Sequence, residues 1–209
     1  MEENVEIFNK YVKEYEEWFE KHKFAYLSEI EALRKVIPKR RGIEIGVGTG
    51  RFAEPLKIKI GIDPAENMLK IAESRGIKTF LGKAEALPFA DEEFDFVLIV
   101  VTLCFVDDPE KAIEEAKRIL KKGGRIIVGI IDRNSKIGKS YQEKKEKSKF
   151  YRVAKFFTAE EVIELLKKHG FHNIKTLQTL FDLPENLNKI DNIKEGYGEG
   201  GFVVIYGNK

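Results

Sequence analysis

GIEIGVGTGRF, residues 42–52, sets an acid, Glu44, inside a short apolar run and then gives up a side chain at every second position, Gly46, Gly48 and Gly50. Glycine lets the backbone turn tightly and lets another molecule approach the main chain, because no Cβ intervenes. A strand-to-helix turn alone accounts for one or two such residues; three at alternate positions point to a ligand cradle. The hydrophobic period changes on either side of this stretch. Upstream, Val5, Phe8, Val12, Tyr15 and Phe19 recur at three- and four-residue steps, which predicts helix through the first forty residues. A second helical stretch, through Ile30 and Leu33, stops at Pro38. Downstream, strands are expected at 42–46, 58–62, 77–81, 94–101 and 125–131, with helices at about 50–57, 65–75 and 109–121 between them. Pro109 suits the first helical position and Gly123 the position just past the end.

A further helix is expected at 158–170, where Thr158 and Glu161 form a capping box and Phe157 staples onto Val162. Two more strands follow, near 173–181 and 202–207, with GYGEGG (196–201) read as their hairpin connection. Strands alternating with helices mean a parallel, doubly wound sheet covered on both faces, with the last pair adding an antiparallel edge. The least regular piece, 132–157, lies past the end of the fifth strand.

With 209 residues the chain suits one domain with a full core. A formal charge of +2 with 34% charged residues spreads both signs over the surface and argues against an obligate nucleic-acid or membrane binder. The single cysteine, Cys104, rules out an intrachain disulfide and points to a reducing compartment. The N-terminus is acidic where a secretory signal is basic, and the longest apolar run, 96–106, is about half a membrane span. A cytoplasmic protein is expected, and the heavy Lys and Glu usage leans towards a thermophile.

In a doubly wound sheet, ligands bind beyond the carboxyl ends of the strands, where the strand order reverses. The dinucleotide fingerprint G-x-G-x-x-G/A fails in frame 46–51, where residue 51 is Arg, and fits loosely in frame 48–53. Glu44, two positions before the first glycine, is placed to meet a cation and would repel a pyrophosphate. The ligand therefore reads as a nucleoside with a positive group. Asp63 ends the second strand, where a carboxylate can accept both ribose hydroxyls. Alternatively Asp63, Pro64 and Glu66 are the cap, first position and capping-box acid of the next helix.

Glu44-x-Gly46-x-Gly48-x-Gly50, then Asp63, GKAEALPFADEEFD (82–95) and RILKKGG (118–124), resembles a class I S-adenosylmethionine-dependent methyltransferase, of the group that includes the ubiquinone- and menaquinone-biosynthesis enzymes. The resemblance runs from about residue 40 to 131. It implies a Rossmann-like α/β fold, a seven-stranded mostly parallel sheet with an antiparallel last strand, in three α/β/α layers under an N-terminal helical cap. One methyltransferase domain would span 1–209, with the cap at 1–38, the cofactor-binding core at 39–131, a substrate-side segment at 132–157 and the final helix and β-hairpin at 158–209. It implies S-adenosyl-L-methionine as cofactor. Gly46, Gly48 and Gly50 would cradle its methionine and ribose portions, Glu44 would sit near the amino-acid end, and Asp63 would hold the ribose. Pro64 and Met68 would pack on the adenine, and Ala84 and Glu85 would read its edge. Relatives commonly carry Asp directly before this Ala; here stands Lys83, which offers no acceptor. Either Glu85 takes over or backbone reads the adenine.

Such a cofactor brings its own electrophile, so the protein has to align an acceptor and exclude water, and no catalytic triad or metal is called for. Enzymes that methylate the amino groups of nucleic-acid bases usually carry Asn/Asp-Pro-Pro-aromatic after the fourth strand, where this chain has Val101-Thr102-Leu103-Cys104. Thr102 is expected to line the cofactor cavity and Cys104 to be core. The acceptor pocket is expected between the N-terminal helices (Tyr11, Tyr15, Trp18) and segment 132–157 (Tyr141, Phe150, Tyr151, Phe156, Phe157), with Asp132 as a polar contact. Aromatic walls suit a flat or cationic small molecule, including an amine; the same aromatics could simply anchor the cap. Two other functions compete: an RNA methyltransferase using the lysines of 136–149, diluted by Glu143 and Glu146, and a non-catalytic nucleotide- or cofactor-binding domain, with NAD as its loose fit.

Overall fold

The computed structural model describes residues 2–209. Three helices open the chain: α1 (Glu2–Lys10), α2 (Val12–Lys21) and α3 (Lys23–Arg34). They are separate rods rather than one continuous helix, because Tyr11 (ψ 33°) and His22 (ψ 43°) leave the helical well between them. The sheet then builds through β1 (Gly42–Ile45), β2 (Ile60–Asp63), α4 (Glu66–Ser74), β3 (Lys78–Leu81), β4 (Phe94–Val100), α5 (Pro109–Ile119) and β5 (Leu120–Ile131). After it come α6 (Lys136–Glu143), α7 (Ala159–Lys168), β6 (His172–Thr179), β7 (Lys194–Glu195) and β8 (Phe202–Asn208).

The sheet runs β3-β2-β1-β4-β5-β8-β6-β7. β1 to β5 are parallel, and the last strand, β8, is antiparallel to both of its neighbours, β5 and β6. The fold is the expected Rossmann-like one, with eight strands in place of seven; the addition is the two-residue β7 on the outer edge. Chain order reverses between β1 and β4, so the loops after these strands open the crevice in which such sheets bind ligands.

Successive side chains of a strand face opposite sides, and here they divide the interior in two. Phe96, Leu98 and Val100 of β4 face the α2, α3 and α6 side, with Phe19, Leu33 and Ile137. Val97 and Ile99 face Ile113, Ala116, Val162 and Leu166 of α5 and α7. Both layers are apolar, which is why β4 reads as an apolar run from Phe96 to Val100.

Three local expectations change. Residues 50–57 form turns rather than a helix: Glu54 and Leu56 donate to Gly50 and Phe52, but Pro55 between them has no N–H to give. Gly123 does not cap α5, which ends at Ile119 with Leu120 already extended (ψ 135°); Gly123 (φ 71°) lies within the irregular start of β5. The GYGEGG stretch is not a hairpin turn, because it leads from β7 to β8, which sit on opposite sides of β6. The capping box of α7 is present, Thr158 Oγ1 accepting from Glu161 N–H and Glu161 from Thr158 N–H.

α2 is locked onto the core by one carboxylate. Glu16 accepts from Arg51 (2.6 Å), Arg75 (2.6 Å) and Thr49 Oγ1 (2.5 Å), all anchored around the β1 loop and α4. Burial works to raise the Glu16 carboxyl, but the hydrogen bonds from Arg75, Arg51 and Thr49 outweigh it and hold it at about 2. Replacing Glu16 with Ala leaves two guanidinium groups facing each other without their shared acceptor. We expect a loss of about 2–3 kcal/mol in denaturant unfolding; a loss under about 0.5 kcal/mol would place the network with ordinary surface pairs.

Candidate functional site

The glycine loop turns directly at the end of β1. Gly46, Gly48 and Gly50 all take left-handed backbone (φ 75°, 51° and 83°), where other residues are strained. Each serves a different end. A Cβ at Gly46 would lie 2.2 Å from Thr102 Oγ1, and one at Gly50 2.4 Å from Ile77. At Gly48 a Cβ would enter the cavity, 3.3 Å from the Tyr15 hydroxyl and 3.5 Å from Met68 Cε. Gly46 and Gly48 line the cavity; Gly50 turns the chain behind it.

Asp63 closes the loop from β2. Its Oδ2 accepts from Gly48 N–H (2.9 Å) and its Oδ1 from Ala65 N–H (2.8 Å). Ala65, not Asp63, is the cap of α4. Pro64, Met68, Ala84, Glu85 and Thr102 also line the cavity. Thr102 donates to Val100 O at 2.9 Å, and Val101 beside it is held at φ 48°. Such a conformation is strained for a β-branched residue and is characteristic of functional loops.

Glu44 stands behind the cradle, 1% exposed, with Oε2 lacking any hydrogen-bond partner among the described residues. Burial pushes its carboxyl well above the usual range, the neighbouring Asp63 pushes it further, and a bond from Ala53 N–H opposes them. A half-satisfied buried acid beside a backbone cradle, with a second carboxylate at the end of β2, fits a nucleoside that carries a cation. The residues present therefore fit S-adenosylmethionine.

The cavity continues under the cap. α1 contributes Asn4, Val5 and Phe8 and is pinned on two sides: Asn4 donates to Phe105 O (2.7 Å), and Asn9 Oδ1 accepts from Asn67 N–H at the start of α4 (2.8 Å). Tyr15 and Trp18 come from α2, Tyr141 from α6, and Phe150 and Tyr151 from the stretch that follows. Tyr141 stacks on Tyr151 (4.8 Å between centroids) and Phe8 on Phe150 (5.3 Å), and Trp18 donates to the Tyr141 hydroxyl. Lys149 reaches Glu14 at 2.7 Å, tying this segment to α2.

Several expected contacts are elsewhere or engaged: Tyr11, Phe156 and Phe157 lie outside the cavity lining. Asp132 lies outside the cavity lining: its Oδ1 accepts from Asn134 N–H (2.8 Å) and its Oδ2 from Ala159 N–H (3.1 Å), so it fastens the turn after β5 to α7. Glu85 lines the cavity, but its Oε1 accepts from Asp107 N–H (2.9 Å) and braces the approach to α5. Cys104 is core as expected, and burial pushes its thiol up to about 12. The sequence reading missed Phe8, Phe105 and, above all, Glu29. Glu29 is buried on α3 between Ala25 and Leu33, one helical turn to either side and both fully buried. An acid at the centre of an apolar i, i+4 stripe was the signal that could have found it.

Residues 43–128 match the family model of a methyltransferase domain. An uncharacterised protein of Methanocaldococcus jannaschii is 58% identical over 205 residues, 98% of this chain and 100% of that one. The crystal structure of a SAM-dependent methyltransferase of Thermotoga maritima, described as a possible histamine N-methyltransferase, is 58% identical, with a TM-score of 0.96 over 98% of this chain and 99% of that one. A demethylmenaquinone methyltransferase of the same organism is 29% identical, over 68% of this chain and 74% of that one.

Three carboxyls around the cavity share one electrostatic signature. Burial raises Asp63 to about 6 against its two N–H donors, raises Glu29 to about 8, and holds Glu44 high. A carboxyl whose pKa is higher folded than unfolded contributes stability at low pH that is lost as pH rises through the folded value. Glu16 works in the opposite sense between about 2 and its ordinary value. So does half-buried His22, lowered by burial, below its own ordinary value; the three raised carboxyls outnumber them. The unfolding temperature of the ligand-free protein should therefore fall from about pH 5 to about pH 8.5, and Glu29→Gln should flatten the upper half of that fall. A wild-type profile that is level or rising over this range would contradict the assignment.

Proposed function

The chain belongs to the class I S-adenosylmethionine-dependent methyltransferases, and we propose that it moves the methyl group to a nitrogen or oxygen of a small molecule, best a small amine. The observation that carries this reading is the aromatic-walled cavity running from the glycine cradle to the underside of α1. Aromatic faces attract organic cations, and a roof of three cap residues favours a compact acceptor over a polymer. The similarity to the Thermotoga maritima structure described as a possible histamine N-methyltransferase supports the same class.

Bound S-adenosylmethionine supplies a sulfonium-borne methyl group that is electrophilic without further activation. In our reading Gly46 and Gly48 offer backbone to the cofactor while Gly50 turns the chain, and Glu44 takes the cationic amino-acid end. Asp63 accepts from the ribose hydroxyls, and Pro64 and Met68 bear on the adenine. With Glu85 engaged by the Asp107 amide, backbone at Ala84 reads the adenine edge, with Lys83 beside it in the cavity lining. Thr102 borders the methyl-bearing end. Tyr15, at the cradle and facing the acceptor side, joins Trp18, Tyr141 and Tyr151 in excluding water and aligning the acceptor atom.

The RNA reading is less well supported. Lys136 is paired with Asp182 (2.6 Å) and Lys149 with Glu14 (2.7 Å), which removes two of the charges that segment 136–149 would offer to phosphates.

Two measurements test this reading. Replacing Asp63 with Ala should weaken S-adenosylmethionine binding by about tenfold or more; unchanged affinity would reduce Asp63 to a clasp for the glycine loop. Incubation with labelled cofactor and a panel of arylalkyl- and imidazolylalkylamines, phenols, carboxylic acids and transfer RNA should give N-methylated amine. Label in RNA alone, or in carboxylic acids alone, would overturn the amine assignment.

A further inference from the structure

Glu29 has no place in holding the cofactor, and nothing in the fold accounts for it. It is 3% exposed, it borders the cavity, and it has no hydrogen-bond or ion-pair partner among the described residues. The same helix shows that an acid could have been solvated instead: Glu31, two residues on, is partly exposed and pairs with Arg34. A buried carboxyl without a donor is a persistent cost, and such groups in a cavity mark functional sites.

The surroundings decide what it could meet. The titratable groups that sense Glu29 are the phenols of Tyr15 on α2, Tyr26 on α3, Tyr141 on α6 and Tyr151 beyond it. Each is raised by its own burial in the first place, so all four are neutral near pH 7. The cations on this side are already engaged: Arg51 and Arg75 by Glu16, and Lys149 by Glu14. Glu14, the other cap acid lining the cavity, is neutralised by that lysine. Glu29 is thus the one acid of the acceptor side without a partner among the described residues.

We propose that Glu29 is the group that recognises a protonated amine acceptor and takes its proton before methyl transfer. The proposal rests on the small-molecule reading of this site and narrows its acceptor to a primary or secondary ammonium. The aromatic walls at Trp18, Tyr141 and Tyr151 hold the cation by its faces, and the carboxylate supplies the directional contact. An ammonium has no lone pair, so it must lose a proton first. The proton passes to a Glu29 oxygen, and the freed nitrogen lone pair forms the new C–N bond. As it does so, the electrons of the C–S bond retreat to sulfur. The product nitrogen carries the positive charge the sulfonium gave up, and Glu29 returns its proton to solvent as product leaves. Burial, which raises this carboxyl to about 8, matches it to that exchange near neutral pH.

The proton count gives a test that needs no turnover. Glu29 is mostly protonated in the empty site at pH 7, so an arriving ammonium must displace about one proton to meet a carboxylate. We would titrate the protein loaded with S-adenosylhomocysteine with phenethylamine and with 2-phenylethanol, in two buffers of different ionisation heat. The amine should bind about tenfold or more tightly than the alcohol and release close to one proton. Glu29→Gln should lose both the preference and the release while its affinity for S-adenosylhomocysteine stays unchanged, and Glu29→Asp should recover part of the preference. Equal binding of amine and alcohol, binding of neither, or an unaltered Glu29→Gln would overturn the proposal. Failure to methylate any member of an acceptor panel would instead count against the small-molecule reading, and the two failures are distinguishable.

Discussion

A carboxyl group taken out of water without enough donors costs several kcal/mol unless it keeps its proton, and this site is built around two of them. Glu44 closes β1 with one oxygen unsatisfied, and Glu29 sits on the apolar stripe of α3. Neither helps the empty fold. Glu29 borders the cavity from the cap, and Glu44 lies behind the glycine cradle on the sheet side. On the proposed reading, a reaction that carries a cation in on the cofactor and another on the acceptor would give each acid a partner it lacks in the protein alone.

The two sides are held by different means. On the sheet side the parallel strands β1, β2 and β4 fix Glu44, Asp63 and Thr102 at neighbouring strand ends, and the hydrogen bond from Gly48 N–H to Asp63 ties the loop to the strand beside it. Strand ends of a fully buried sheet are rigid, which suits a cofactor site common to many chemistries. On the cap side the walls arrive on helices anchored by side-chain polar links: Glu16 to two arginines and Thr49, Asn9 to the start of α4, Glu14 to Lys149. On the proposed reading, acceptor specificity belongs to that side.

The cradle was legible in the sequence because its requirement is local. Left-handed backbone at Gly46, Gly48 and Gly50 tolerates little else, and an acid two positions ahead has few structural uses. The capping box at Thr158 and Glu161, and the apolar run 96–100 of β4, were legible for the same reason. What escaped depends on partners distant in the chain. Asp132 looks like a free acid at a strand end until α7 supplies the Ala159 amide. Glu85 looks free to read adenine until the loop before α5 closes on it. Glu29 was signalled only by the apolar stripe of Ala25 and Leu33 on either side of it, and the cavity it borders appears only once α3 packs beside the aromatic residues of α2 and α6. The insertion of β8 between β5 and β6 is likewise a property of the assembled sheet, which no turn residue announces.

Calorimetric titration of wild-type protein and of Glu44→Gln with S-adenosylmethionine bears on the central claim most directly. If the buried acid awaits the cofactor's cationic end, Glu44→Gln will remain folded and bind about tenfold or more weakly. Equal affinity in the two proteins would mean that Glu44 is a buried residue of the β1 end with no part in binding, and the account of why the site carries unsatisfied acids would be wrong.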